Sequence, residues 1–242
     1  DFLEYMHMDP YFRSGNHNRL TFSMSYAYSE NYIQVLSHDE VVHGKGSMIG
    51  KMPGEQHDKF ANLRTAYGFM YGHPVKKLLF MGQEFAQYRE WSEARSLDWY
   101  LLDEDYNKKM QSFVKELNKL YQKYDAMYLN DYDVMGFEWM SVDNNEMSTV
   151  SFVRRGSGAK DQLLFICNFT PVLYEEFKTG VPCAGEYTML LTSDDVKYGG
   201  TGVDNPKKVK AQKDLCDGKD YSLAMKLPPL SVTIYRFDYK EK

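Results

Sequence analysis

Residues 36–45, LSHDEVVHGK, gather two histidines, two carboxylates and a lysine directly after an apolar run, YIQVLS. Such a cluster suits metal binding, phosphate binding, or acid/base and electrostatic work on a neutral substrate. Zinc motifs of the H-E-x-x-H type set their histidines four apart on a helix, with glutamate after the first. Here His38 and His43 are five apart, about 140° around a helix, and Asp39 stands in the glutamate's place. No metal is expected. GKGS resembles the end of a phosphate loop, but the position five before Gly44 is Asp39, whose charge repels phosphate. Electrostatic or acid/base work remains. A carboxylate at Asp39 held beside a developing positive charge stabilises it far better in a water-poor groove than in water. His38 next to it can donate a hydrogen bond while neutral. The alternative is that both residues only cap the following loop or pair with arginine and lysine.

Further candidates are less distinctive. His43 and Lys45 lie in the same loop, and Glu84 ends the second strand-like run, FMGQEF. Glu84 suits the wall of a site or a structural ion pair. Trp91 and Trp99 suit stacking on sugars or packing within a loop. Arg13, Arg19 and Arg64 read as surface or ion-pair residues. All six histidines precede residue 74, so any histidine chemistry belongs to the first third of the 242 residues.

These residues need a frame to hold them. The chain is 43% hydrophobic and 26% charged, a globular composition. A net charge of −5 offers no footprint for nucleic acid or an anionic membrane. No apolar run approaches the ~20 residues of a membrane span. Three cysteines without CxxC spacing read as free thiols in a reducing, cytoplasmic compartment. The start at Asp1, helix-like and without an initiator methionine, reads as a cut.

Periodicity predicts a strand at 32–36, an amphipathic helix from about 58 (Phe60, Leu63, Tyr67 and Met70 on one face), a strand at 77–81, and an amphipathic helix over about 107–125. Apolar on both faces, the second run suits a parallel strand covered on both sides. Strand, helix, strand, helix implies α/β architecture, with functional loops at the C-terminal strand ends. Beyond residue 128 short segments (GFEWMSV, STVSFVR, QLLFICN, GEYTMLLT, DYSLAMKL, LSVTIYRF) alternate with turns, which predicts an antiparallel sandwich. KYGGTGVDNPKKVKAQ reads as an exposed loop.

NYIQVLSHDEVVHGKGSM, MPGEQHDKFANLRTAYGFMYGHPVKKLLFMGQEFAQYREW and SLDW resemble the last third of the catalytic barrel of bacterial glycogen branching enzymes, in the α-amylase superfamily. GFEWMSVD, FVRR, NFTPV and LPPLSVTIY resemble that family's C-terminal sandwich. The likeness runs from about Asp1 to the end and is weakest between 193 and 220. It implies an α/β part at 1–127, the C-terminal portion of a (β/α)8 TIM barrel holding strands seven and eight, followed by an all-β sandwich domain at 128–242. It also implies that His38 hydrogen-bonds sugar hydroxyls and that Asp39 is the transition-state-stabilising carboxylate. Glu84, Trp91, His43 and Lys45 become candidate substrate-binding residues.

The family's chemistry is retaining glycosyl transfer, in which an α-1,4-glucan is cut and rejoined as an α-1,6 branch without a cofactor. The implied partners are α-glucans such as glycogen and amylose, together with the N-terminal part of the chain's own protein. No motif matches the family's nucleophile and general acid, so these 242 residues alone are expected to be inactive. Two positions depart from the family pattern: Gln83, where asparagine is usual, and SEAR ahead of SLDW. A hydrolase or debranching relative, and a non-catalytic glucan-binding module, are the alternatives.

Overall fold

A computed structural model describes residues 1–239. In the first half, α1 (Phe2–His7) and α2 (Asn18–Thr21) lead into β1 (Ile33–Leu36), α3 (Gln56–Gly72), β2 (Lys76–Leu79) and α4 (Asp105–Lys123). The strands β1 and β2 pair in parallel, with Val35 opposite Leu78 and Leu36 opposite Leu79. A parallel pair requires a crossover, and α3 supplies it. Eight antiparallel-paired strands follow: β3 (Phe137–Ser141), β4 (Thr149–Arg154), β5 (Gln162–Asn168), β6 (Tyr174–Val181), β7 (Glu186–Thr192), β8 (Lys208–Lys210), β9 (Tyr221–Leu227) and β10 (Ser231–Phe237). They form a six-stranded sheet in the order β3-β4-β5-β10-β7-β8 and a two-stranded sheet of β6 and β9.

At the centre of the large sheet β4, β5 and β10 are buried on both faces, and β5 shows why its sequence is apolar throughout. Leu164 and Ile166 point into the core shared with β6 and β9. Leu163, Phe165 and Cys167 point the other way, into a core shared with α3 and α4. Alternation survives in direction but vanishes in polarity, because neither face meets water. On the helix side Phe152 and Phe165 stack with ring centroids 5.0 Å apart.

Helix α3 differs from the expected one-sided pattern. Every residue from Phe60 to Gly72 is buried. One flank faces the β1–β2 half, and the other lies against β10 and β5. The approach is close enough to demand glycine. A Cβ on Gly68 would stand 2.0 Å from Val232 Cγ1, and one on Gly72 would stand 2.6 Å from Phe165 Cδ1. Helix α4 keeps the expected single apolar face, with Met110, Phe113, Val114, Leu117 and Leu120 buried.

Several other expectations need correction. The parallel pair is not covered on both sides: Ile33 and Val35 are 55% and 48% exposed, and Leu78 is 38% exposed. Among the described residues β1 and β2 have only each other as strand neighbours. Arg13 and Arg64 are buried rather than superficial. Arg13 donates to Asn62 Oδ1, Phe169 O and Met6 O at 2.7–2.9 Å. Arg64 donates to Ser193 O at 3.0 Å and Gly199 O at 3.2 Å, tying α3 to the turn after β7. Only Arg19 forms the expected surface pairs, with Glu4 and Asp1. The stretch expected to be a loop at 197–212 contains β8, whose Lys208 pairs with Glu186 across the ladder at 2.8 Å. Strand β6 escaped the sequence reading because Glu175 and Glu176 face water and break its apolar pattern.

The two halves also share an ionic knot built on a buried pair. Arg154 on β4 donates to Asp131 Oδ1 at 2.6 Å, and both side chains are fully buried. Lys76 on β2 donates to the other oxygen at 2.9 Å. Arg154 additionally donates to the carbonyls of Gly72 and His73 at the end of α3. His73 is sealed beside it. Its Nε2 lies 2.9 Å from Ser23 Oγ and its Nδ1 lies 3.0 Å from Pro74 O.

Two outcomes follow from this packing. Gly68→Ala should lose about 1–3 kcal/mol in urea denaturation, the range for overpacking, and Val232→Ala in the same chain should recover part of that loss. Burial pushes the His73 imidazole down from 6.5 to about 3. Unfolding lets it take up a proton, so its contribution is complete above about pH 6.5 and is lost as pH falls toward 3. Between pH 6 and 4 the stability of the parent should therefore fall more steeply than that of His73→Gln, by up to ~1.4 kcal/mol per pH unit.

Candidate functional site

The C-terminal ends of β1 and β2 lie side by side, and the chemistry-bearing residues gather there. Leu36 is buried at the end of β1. Ser37 then opens a turn of 3-10 helix, His38–Glu40, closed by Glu40 N–H to Ser37 O at 3.2 Å and Val41 N–H to His38 O at 2.9 Å. Buried Val41 and Val42 anchor the far side of this turn. Between the two apolar anchors, His38 and Asp39 project outward. Their side chains are 55% and 72% exposed, and His38 Nε2 lies 3.1 Å from Asp39 Oδ1. Ser37 Oγ donates to Asp39 Oδ2 at 3.4 Å. Asp39 is thus not locked against a guanidinium; its charged oxygens face open space.

The chain then reverses. His43, Gly44 and Gly46 all have left-handed backbones, with φ of 57°, 82° and 74°, a conformation glycine adopts without strain. His43 is exposed on this reversal. Lys45 folds back, and its ammonium donates to Asp39 O at 2.7 Å. Glu90 Oε1 accepts the Gly46 N–H at 2.6 Å.

From the β2 side, Phe80 follows the strand directly. Its ring lies 5.9 Å from the His38 ring and 5.1 Å, edge-on, from that of Trp91. Trp91 N–H donates to Val41 O at 3.0 Å. The structure therefore gathers His38, Asp39, His43, Lys45 and Trp91, with Trp91 partly buried as a support beside the histidine. The loop bearing Trp91 is itself pinned. Arg89 binds Asp98 through two nitrogens, which holds the Asp98 carboxyl below its ordinary range, and Gln87 Oε1 accepts the Asp98 N–H at 2.9 Å.

Glu84 falls elsewhere. It sits in the turn Gln83–Phe85 after β2 and lines a cleft of about 550 Å³ with Tyr71, Lys76, Lys77, Asn118 and Tyr121. No residue of 36–51 lines that cleft. Gln83 is buried, its Oε1 accepting the Phe80 N–H at 3.2 Å, while its Nε2 lacks a partner among the described residues. Trp99 is 51% exposed, with its ring 5.3 Å from that of Phe85. Phe80 and Glu90 were missed by sequence reasoning. Phe80 was legible as the residue at which the β2 run meets the site, whereas nothing in the spacing marks Glu90.

Chemically, the group offers an exposed carboxylate, an imidazole beside it, and a rigid turn beneath both. That set can stabilise a developing positive charge and hydrogen-bond hydroxyl groups.

Residues 139–238 match the family described as "Alpha amylase, C-terminal all-beta domain". The chain is 54% identical, over all of its length, to 38% of a 1,4-alpha-glucan branching enzyme GlgB of Butyrivibrio fibrisolvens. Branching enzymes of Rubrobacter xylanophilus and Geobacillus stearothermophilus are 48% and 47% identical over 98% of the chain. The chain spans 32% and 37% of those two proteins. Among solved structures, the catalytic module of the glycogen-degrading pneumococcal virulence factor SpuA superposes on 92% of the chain, with a TM-score of 0.60 and 15% identity; the chain covers 39% of that module. Amy13B of Eubacterium rectale superposes on 94% of the chain with a TM-score of 0.54, the chain covering 44% of it. At such low identity these two speak for the fold alone. Over its whole length, this chain is thus similar to a part of 1,4-alpha-glucan branching enzymes, and its residues 139–238 match the alpha-amylase C-terminal all-beta domain.

Proposed function

We propose that these residues serve a 1,4-alpha-glucan branching enzyme, in which an α-1,4-glucan is cleaved and rejoined as an α-1,6 branch. The observation that carries the reading is the position of His38 and Asp39. They stand on a rigid turn at the C-terminal end of a parallel strand, where barrel enzymes build their sites. In this reading β1 and β2 are strands seven and eight of a (β/α)8 barrel. Residues 1–127 belong to that barrel and 128–242 to the sandwich. The exposed flank of β1 and β2 is where the remaining strands would pair.

Asp39 then stabilises the glucosyl ring as it gains positive charge, and His38 donates to its hydroxyls. Neither residue forms the covalent bond. The nucleophilic aspartate and the acid/base glutamate come from sequence beyond these 242 residues. His43 and Trp91 help shape the wall around the sugar, and Glu84 lies outside that wall. The substrate is an α-glucan of the glycogen or amylose type. Three free cysteines, two of them buried, fit a reducing cytoplasm.

In a full-length enzyme carrying this sequence, Asp39→Asn should slow branching of amylose by roughly 100- to 1000-fold or more, the scale of losing a preorganised electrostatic contact. His38→Ala should have a smaller effect. Branching lowers iodine staining without releasing reducing ends, so a parallel rise in reducing ends would mark a hydrolase and refute the assignment. The 242-residue chain by itself should show neither change.

A further inference from the structure

The turn that bears Asp39 uses the carbonyls of Ser37 and His38 for its own backbone bonds. The next carbonyl, that of Asp39 itself, is taken by a side chain: Lys45 Nζ donates to it at 2.7 Å. The same arrangement repeats six residues later. Lys51 Nζ donates to Lys45 O at 2.5 Å. The carbonyl of Lys51 is held in turn by His7, whose ring Nδ1 donates to it at 2.8 Å. Two lysines, each closing on a carbonyl six positions earlier, thus connect α1 to the backbone of Asp39.

The far end of this series is fixed by the core. Met48, Ile49 and Met52 around Lys51 are at most 2% exposed, and Tyr5 and Met6 in α1 are fully buried. The near end is not fixed by the core, because Asp39 and Lys45 face water. Between them the left-handed backbones of His43, Gly44 and Gly46 double the chain back, which brings the Lys45 ammonium over the Asp39 carbonyl. Glu90 clamps the same reversal by accepting the Gly46 N–H.

We infer that Lys51 and Lys45 are positioning residues that act in series to orient the Asp39 carboxylate: Lys51 fixes the backbone of Lys45, and Lys45 fixes the carbonyl of Asp39. Lys45 works on the protein's own backbone, not on the sugar. This inference rests on the role of Asp39 proposed above. Both bonds lie at the surface, where single hydrogen bonds contribute little to global stability. Orientation at a reacting centre is far more demanding, since a misplacement of about 1 Å can cost ~100-fold in rate.

The test uses a full-length enzyme carrying this sequence, with kcat, KM for amylose and Tm measured for Lys45→Met, Lys51→Met, the double variant, and Lys→Arg at each position. Each methionine variant should lower kcat by at least about tenfold while KM stays within about twofold and Tm is unchanged. Arginine should restore most of the rate. Because the two lysines act in series, the double variant should be no slower than Lys45→Met. A parental kcat in Lys51→Met, or losses that multiply in the double variant, would overturn the relay. A raised KM at unchanged kcat in Lys45→Met would make that lysine a substrate ligand instead. A lowered Tm with no rescue by arginine would make the role merely structural. Asp39→Asn, run beside these, separates the two ideas: if it leaves branching intact, the assignment of Asp39 fails rather than the relay.

Discussion

The constraint on which the rest depends is the close approach of α3 to the large sheet. Helix and strand backbones come so near at Gly68 and Gly72 that Val232 and Phe165 occupy the space a methyl group would need. Close packing of this kind fixes relative position to within fractions of an ångström. Since α3 is also the crossover between β1 and β2, the sheet behind it sets where those strands end. The turn bearing His38 and Asp39 is therefore oriented, through one helix, by residues about 130 and 195 positions further along the chain.

The ionic knot of Arg154, Asp131 and Lys76 reinforces the same junction at the C-terminal end of α3, beside Gly72. Burying a charged pair is expensive unless both members are satisfied. Here Asp131 receives two donors, and Arg154 gives its other donors to the carbonyls that the end of α3 leaves open and to Gly136 O. The knot is therefore better read as a specifier of how the two halves meet than as a source of net stability. His73, Val75 and Lys77 crowd the adjoining turn, where Val75 holds a left-handed backbone, unusual for a β-branched residue.

Much of this was legible in the sequence, where a single local rule decided the outcome. Helix α4 shows its apolar stripe, and β9 and β10 show theirs. QLLFICN was legible as one short segment of an antiparallel sandwich, whereas its burial on both faces and the neighbours that cover it were not readable. Pairing across 60 or more residues, as between β5 and β10, leaves no local trace. The one-sided reading of α3 failed because tertiary packing buried its polar face as well, with Asn62 accepting from Arg13 and Arg64 donating to Ser193 O and Gly199 O. The candidate site was legible in its cluster of ionisable residues, at His38 and Asp39, and not in its support. In the sequence Lys45 reads as a candidate substrate ligand and Lys51 is not singled out; that both ammonium groups close on backbone carbonyls emerges only once the chain reverses at 43–46.

The large sheet ends on one side at β8, only three residues long and bearing Lys208 and Lys210 outward. Unpaired backbone groups on a terminal strand invite another chain to zip onto them. A strand this brief, flanked by two ammonium groups, gives an incoming segment few bonds to make and two charges to desolvate. Growth of the sheet into a larger assembly is thus barred on that flank by length and charge together, which confines any strand-to-strand association to other margins of the molecule.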